Sequence, residues 1–114
     1  MKTIESVLIG YVGQQTAVHT GGEIPGKRTG SYIVVQKRGG GKSNHIPSAT
    51  MQFDCYAPTL SEACELSQKV IRAVEESIAL DDIASVEFGG DYNSTDTERK
   101  EHCYTAMFEI THYL

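Results

Sequence analysis

The stretch Ala49–Ile78, ATMQFDCYAPTLSEACELSQKVIRAVEESI, contains the change of hydrophobic period that decides the fold. Over residues 49–56, apolar residues alternate with mostly polar ones, which predicts a strand with one buried face. Over residues 59–78, apolar residues recur every three or four positions, which predicts an amphipathic helix. Thr59 and Glu62 match a capping box at its start, so the helix is expected to begin at this point.

Upstream of this stretch, the sequence predicts another strand and a short helix. Residues 31–38 contain four consecutive apolar residues and are expected to form a strand buried on both faces. The glycine-rich residues 39–47 are expected to form an exposed loop, too long for a two-residue turn. Residues 3–13 have apolar residues at helical spacing, with Thr3 as the expected N-cap and Gly13 as the expected end of the helix.

Downstream of the long helix, the sequence predicts a hairpin. Residues 83–88 are expected to form a strand, residues 89–97 a turn-rich connector made by Asx residues, and residues 100–113 a long last strand. A brief strand is also expected at residues 17–19. Together these elements predict a single α+β domain over residues 1–114. Its sheet is expected to be mainly antiparallel with about four strands, a long helix packed on one face and a short N-terminal helix.

The composition is that of a small acidic globular protein. The chain has 114 residues, a hydrophobic fraction of 39% and a formal net charge of −5. This charge argues against a protein that grips DNA by its phosphates, which needs a basic face. Cations are concentrated in the first half of the chain, whereas acids dominate residues 62–98. Such a separation suits head-to-tail packing against copies of itself or against a charged neighbour, although a simply solvated surface explains it equally well.

The sequence does not predict a membrane protein. Its apolar runs are a few residues long, whereas a membrane helix needs about 20. The first residues lack the apolar segment of a signal peptide. We therefore expect the protein to start in a cytoplasm.

No motif predicts catalysis, a cofactor or a metal site. Residues 41–43, Gly-Lys-Ser, match the end of a phosphate-binding loop, but Gln36 stands where that loop requires its first glycine. His45 and His102 have no nucleophile marked by a local motif, and Cys103 is expected to point away from His102 on a strand. The cysteines, in no metal-binding spacing, are expected to be small buried hydrophobes. We therefore predict a protein that is not an enzyme.

Five segments carry a resemblance to a known family. They are residues 31–41, 48–57, 60–66, 91–100 and 104–110. In these segments the chain resembles the tail-terminator proteins of long-tailed phages and prophages of Gram-positive bacteria, a group that includes tail-completion, minor capsid and head–tail joining proteins. The most specific likeness is in the connector that begins Asp-Tyr-Asn and in the strand after it.

The resemblance implies a structural virion protein without catalytic residues. It would assemble as a ring, expected to contain six copies, at the head-proximal end of the tail tube. There it would stop tube polymerisation and offer a surface to the head–tail connector. Its partners would be its own copies, the tail tube protein and the connector protein, and DNA would pass through the ring without specific binding. It would be found in the host cytoplasm during assembly and then in the virion tail.

The family has no short interface motif, so candidate interface residues are chosen for their expected exposure. They are Lys27, Arg28, Lys37, Arg38, Lys42, Asn44, His45, Tyr92, Asp96 and Tyr113. The last strand is expected to reach a neighbouring subunit, so that truncation after Ile110 weakens assembly more than folding. Two alternatives stay open: a head-completion or connector protein of the same virion, and a small ligand-binding or enzymatic α+β domain.

Overall fold

The computed structural model describes residues 2–26, 30–43, 45–98 and 101–114, and Ser43 without its side chain. Its helices and strands are, in chain order, α1 (Ile4–Thr16), β1 (His19–Gly21), β2 (Tyr32–Ser43), β3 (Ile46–Ala57), α2 (Leu60–Glu76), a short 3-10 helix (Ser77–Ala79), β4 (Ile83–Asn93) and β5 (His102–His112). The strands form one sheet in the order β1-β2-β3-β5-β4. β1 is parallel to β2, and all other neighbours are antiparallel.

Both helices pack on the same face of the sheet, which we call the helix-covered face. Buried residues of α1, of α2 and of this face form a single apolar cluster. At its centre, the rings of Phe53 and Phe108 meet edge to face with their centroids 5.8 Å apart. The period-two pattern predicted for β3 accounts for this packing, because Met51, Phe53 and Cys55 all point into the cluster.

The predicted sheet was wrong in two respects, although the α+β class is confirmed. The sheet has five strands instead of about four, and it is mixed where a mainly antiparallel sheet was predicted, because β1 pairs with β2 in parallel from His19↔Tyr32 to Gly21↔Val34. The sequence placed a brief strand two residues too early, at 17–19. Three residues without a run of β-branched side chains give too weak a signal to fix such a strand.

The glycine-rich segments predicted as loop and connector are largely strand. β2 continues through its glycines to Ser43, which pairs with Ile46, so only two residues connect β2 to β3 where a long loop was expected. β4 likewise continues beyond Phe88 to Asn93. Bulges adjoin both glycine segments, one between Lys37 and Gly39 in β2 and one between Phe88 and Gly90 in β4.

One β4 glycine has a specific conformational role. The pairing shifts between Phe88 and Gly90, and Gly90 has a φ of +119°, which side-chain-bearing residues rarely adopt. A second bulge lies between Ile83 and Ser85. β4, the last strand in the sheet order, therefore contains two bulges.

The helix starts follow the sequence more closely than the helix ends. Thr3 caps α1 as predicted, and the Thr59 hydroxyl accepts the Glu62 N–H at 3.1 Å at the start of α2. α1 does not end at Gly13 but at Thr16, with Ala17 in the left-handed conformation. A Cβ on Gly13 would lie 3.4 Å from the Thr20 hydroxyl oxygen, which is an ordinary contact distance, so Gly13 lies within the helix beside β1 and does not stop it.

Candidate interaction surfaces

Four of the predicted interface cations or histidines lie on β2 or at the tip of the β2–β3 hairpin. Lys37 and Arg38 are in β2 next to its bulge, and Lys42 is close to the tip. His45 follows at the turn with a φ of 68°. The tip extends past β5, because Ser48 is the last β3 residue that pairs with that strand. We call residues 42–43 and 45–47 the hairpin tip.

The alternation of side chains along β2 directs the two neighbouring cations to opposite faces of the sheet. Lys37 pairs with Met51, whose side chain points into the core, so Lys37 stands on the helix-covered face. A Cβ built on Gly40 would lie 3.0 Å from its Cε, so the aliphatic chain of Lys37 runs over this glycine. Arg38 instead donates from Nη1 to Gln36 Oε1 at 3.4 Å on the other face. The basic segment predicted from the sequence is therefore divided between two surfaces.

Two other predicted residues lie at the opposite end of the strands. Tyr92, near the end of β4, pairs with Thr105 and has 52% of its surface exposed. Asp96 forms an isolated bridge with Glu101 and accepts the Glu98 N–H on Oδ1 at 3.0 Å. We call the segment of residues 94–98 and 101, between β4 and β5, the connector; it is distinct from the head–tail connector protein.

The predicted Asx turns are confirmed in part. Asn93 Oδ1 accepts the backbone N–H of Thr95 at 3.0 Å and its hydroxyl at 2.6 Å. Asp91 has no such role, because it lies in β4 and pairs with Ala106. The connector is thus shortened by the extra length of β4 and held by side chains at its start.

The remaining predicted residues are at the C-terminus or outside the described residues. Tyr113 is 64% exposed, and its backbone N–H donates to Asp82 O at 2.9 Å, which fixes the chain end beside the start of β4. Lys27, Arg28 and Asn44 lie outside the described residues. Of the predicted residues that the structure describes, Lys42, His45 and Tyr113 lie at one end of the strands and Tyr92 and Asp96 at the other, whereas Lys37 and Arg38 lie in the middle of β2.

The helix-free face of the sheet contains a polar network that the sequence did not predict. Asp54 is only 6% exposed. Its Oδ1 accepts hydrogen bonds from Thr105 Oγ1 at 2.8 Å and Gln52 Nε2 at 2.9 Å. Thr105 also shares a hydrogen bond of 2.7 Å with Ser94, at the end of β4. The network links β3, β5 and the connector, and its hydrogen bonds satisfy the buried carboxylate.

An acidic pair on the same face was also missed. Glu87 of β4 lies directly opposite Glu109 of β5, and both side chains are exposed. The Thr50 hydroxyl donates to Glu109, and Thr50 in turn pairs with Gly39 beside the β2 bulge. One row across the sheet therefore runs from the bulge that carries Arg38 to the two glutamates. Only the register could reveal this, since 22 positions separate the glutamates in the chain.

A small concavity lies at the connector end of the sheet. It has a volume of about 210 Å³ and is lined by Gly30, Tyr32, Tyr56, Ala57, Pro58, Glu101 and His102. The rings of Tyr32 and Tyr56 stack at 4.6 Å between centroids. Burial is the main reason that the pKa of the Tyr56 hydroxyl is raised, so this group stays protonated near neutral pH.

The cysteine thiols are suited to packing more than to nucleophilic chemistry. Cys55 and Cys103 are buried, as predicted, whereas Cys64 is half-buried. Burial raises the pKa of the Cys55 thiol and that of the Cys103 thiol. Both thiols are therefore protonated near neutral pH, and a thiol is a much weaker nucleophile than a thiolate.

The described residues form neither a metal-binding cluster nor a membrane-spanning helix. Within the described ranges, His, Cys, Asp and Glu side chains do not gather in threes as a metal site would require. No described helix has both the length and the apolar character to cross a bilayer. Comparison of the sequence with models of protein families and with curated proteins finds no match.

Proposed function

We propose that the chain is a structural subunit of a phage tail, which forms a ring at the head-proximal end of the tail tube and joins it to the head connector. This proposal is carried by one observation: exposed residues lie in two groups, one at each end of the strands. The hairpin tip presents Lys42 and His45, and the connector end presents Tyr92 and Asp96. The sequence resemblance supports the same conclusion.

The shape of the molecule suits a subunit with two different axial partners. Its principal extents are 44 × 22 × 22 Å. A strand of 12 residues, such as β2, spans about 40 Å, so the long axis follows the strands. In a ring whose axis runs along the strands, one group of exposed residues would face the tail tube and the other would face the head.

The charge of the chain fits a ring through which DNA moves. A basic lumen would hold the phosphates, whereas a lumen of acidic and neutral groups lets them pass. The chain has a net charge of −5, and its helix-free face presents Glu87, Glu109 and one cation, Arg38, along with neutral polar groups. This supports a channel role and does not require any specific contact to DNA.

The experiment is a capping assay with the purified protein and tail tubes polymerised from purified tube protein, viewed by negative-stain electron microscopy. We expect ring-shaped densities at one end of each tube and a halt in tube growth. A protein that stays monomeric and never binds tube ends contradicts the proposal. Binding to isolated heads but not to tubes identifies the head-completion role instead.

Substitutions at the two ends sharpen the assay. Lys42→Glu changes the hairpin tip, and Tyr92→Ala changes the connector end. Each variant should lose binding to one partner, either the tail tube or the head connector protein, and keep binding to the other. Lys69→Glu, on the exposed surface of α2, is the matched charge control. If both end variants bind both partners like the wild type, the two-ended arrangement is wrong.

A further inference from the structure

Two edges of the sheet are open along most of their length. β1 covers only Tyr32–Val34 on the outer side of β2, which leaves Val35–Ser43 without a paired strand among the described residues. At the other side of the sheet, β4 pairs with β5 alone in the described part of the chain. Each edge presents backbone N–H and C=O groups that can form a further ladder.

The directions of these two edges are compatible with each other. Through the antiparallel neighbours β2, β3, β5 and β4, the strand direction alternates, so β4 runs opposite to β2. A second copy rotated about an axis along the strands keeps these directions. Its β2 would then meet β4 of the first copy in antiparallel orientation, and the free lengths match, since β4 has 11 residues and the open part of β2 about nine.

The charges at the two edges are complementary. Glu87 and Glu109 face each other across the β4–β5 ladder, an arrangement of like charges that destabilises a sheet. Neither has a cationic partner among the described residues. Arg38 lies on the same face at the opposite edge, where its described partner is the neutral amide of Gln36. The cation that the acidic pair lacks is therefore at the other edge, in the same row of the sheet.

We infer that β2 of one copy pairs antiparallel with β4 of a second copy, so that Arg38 of the first lies against Glu87 and Glu109 of the second. This inference rests on the proposed ring and names the contact that closes it. Because the contact joins two different surfaces, it repeats from copy to copy and closes when the rotation allows. It also covers Phe88, which is 42% exposed on the helix-covered side of the β4 edge.

Charge reversal tests the contact. We would compare Arg38→Glu, Glu87→Arg and the double variant with wild type by native mass spectrometry and light scattering over a range of concentrations. Each single variant should weaken assembly at least about tenfold, and the double variant should restore it. Lys69→Glu and Glu75→Arg, on the exposed surface of α2, are controls that should assemble like wild type.

Folding and assembly are separated by a urea unfolding curve for each variant. Glu87→Arg removes the like-charge pair, so it should leave the free energy of unfolding equal to or above that of the wild type while assembly falls. Failed rescue in the double variant, or single variants that assemble like wild type, overturns the inference. So does a wild type that remains monomeric, alone and on tubes.

These outcomes are distinct from failure of the proposed function. Wild-type rings that cap tubes but do not respond to charge reversal would preserve the proposed function and reject the edge contact. Rings that depend on Arg38 and Glu87 but do not bind tubes or head connectors would support the edge contact and reject the proposed function.

Discussion

Replacing Thr105 by valine should cost stability because it removes a hydroxyl from the centre of the polar network. Thr105 is 1% exposed, and its hydroxyl contacts Asp54 Oδ1 at 2.8 Å and Ser94 at 2.7 Å. A hydrogen bond to a charged group contributes about 1.5–3 kcal/mol. Valine offsets a few tenths of this at most through its preference for strands, within the roughly 1 kcal/mol range of β-propensities. We expect Thr105→Val to lower the free energy of unfolding by about 2 kcal/mol.

Thr105→Ser is the matched control because it keeps the hydroxyl and removes only the buried methyl. Its expected cost is about 1 kcal/mol, near that of one buried methylene. Both free energies would be measured by urea unfolding at pH 7. If Thr105→Ser costs more than Thr105→Val, or if Thr105→Val stays within about 0.5 kcal/mol of wild type, the network does not stabilise the sheet as argued.

Four further predictions concern the core, the chain end and one cap. Phe108→Ala should cost about 3–5 kcal/mol in urea unfolding, because its ring fills the centre of the core, and Phe88→Ala, at the exposed edge, should cost clearly less. Burial is the main reason that the pKa of His112 is lowered. The contribution of neutral His112 to the free energy of unfolding should therefore be fully present above the ordinary pKa of about 6.5 and be lost as pH drops below it. His112→Gln should reduce this dependence of the free energy of unfolding on pH. Thr59→Ala should cost about 1 kcal/mol, seen as a lower urea midpoint with an unchanged m-value. Truncation after Ile110 should lower stability strongly, contrary to the sequence-based expectation, because it removes a buried histidine and the end of β5; an unchanged melting temperature would contradict this.

The sequence predicted the elements whose hydrophobic period is unbroken. β3 and α2 follow from alternation and from helical spacing, and Thr59 marks the helix start correctly. The predicted apolar stripe of α2 was wrong at its ends, where Leu60 and Ile78 are exposed. The local pattern of apolar residues predicts the direction in which a side chain points. Whether that side chain is buried depends on how far the sheet extends beneath the helix.

The prediction from sequence was wrong where glycine residues lie within a strand. Glycines usually indicate turns, but Gly40 and Gly41 form ladder pairs, and Gly40 leaves space for the Lys37 side chain. Hydrogen bonds to a distant strand decided the outcome at these positions, and no short window contains that information.

The candidate surfaces were predicted as residues but not as arrangements. Lys37 and Arg38 were named together because they are adjacent and charged, yet the alternation of side chains along a strand places them on opposite faces. The facing of Glu87 and Glu109 depends on the register of β4 against β5, which the second bulge shifts. Composition therefore identified which residues carry charge, whereas pairing determined which charges meet.

The bulges of β4 and β2 restrict which strands can pair with the exposed β4 edge. In β4 they divide the ladder with β5 into two short regular stretches, Ser85–Phe88 and Gly90–Asn93, because the register shifts before and between them. A flat strand from an unrelated protein can pair with such an edge over about four residues, too few for a stable two-stranded contact. A strand with its own irregularity, as β2 has next to Lys37, can follow the edge further. The kinks that complicate this sheet thus protect a long exposed edge from indiscriminate aggregation.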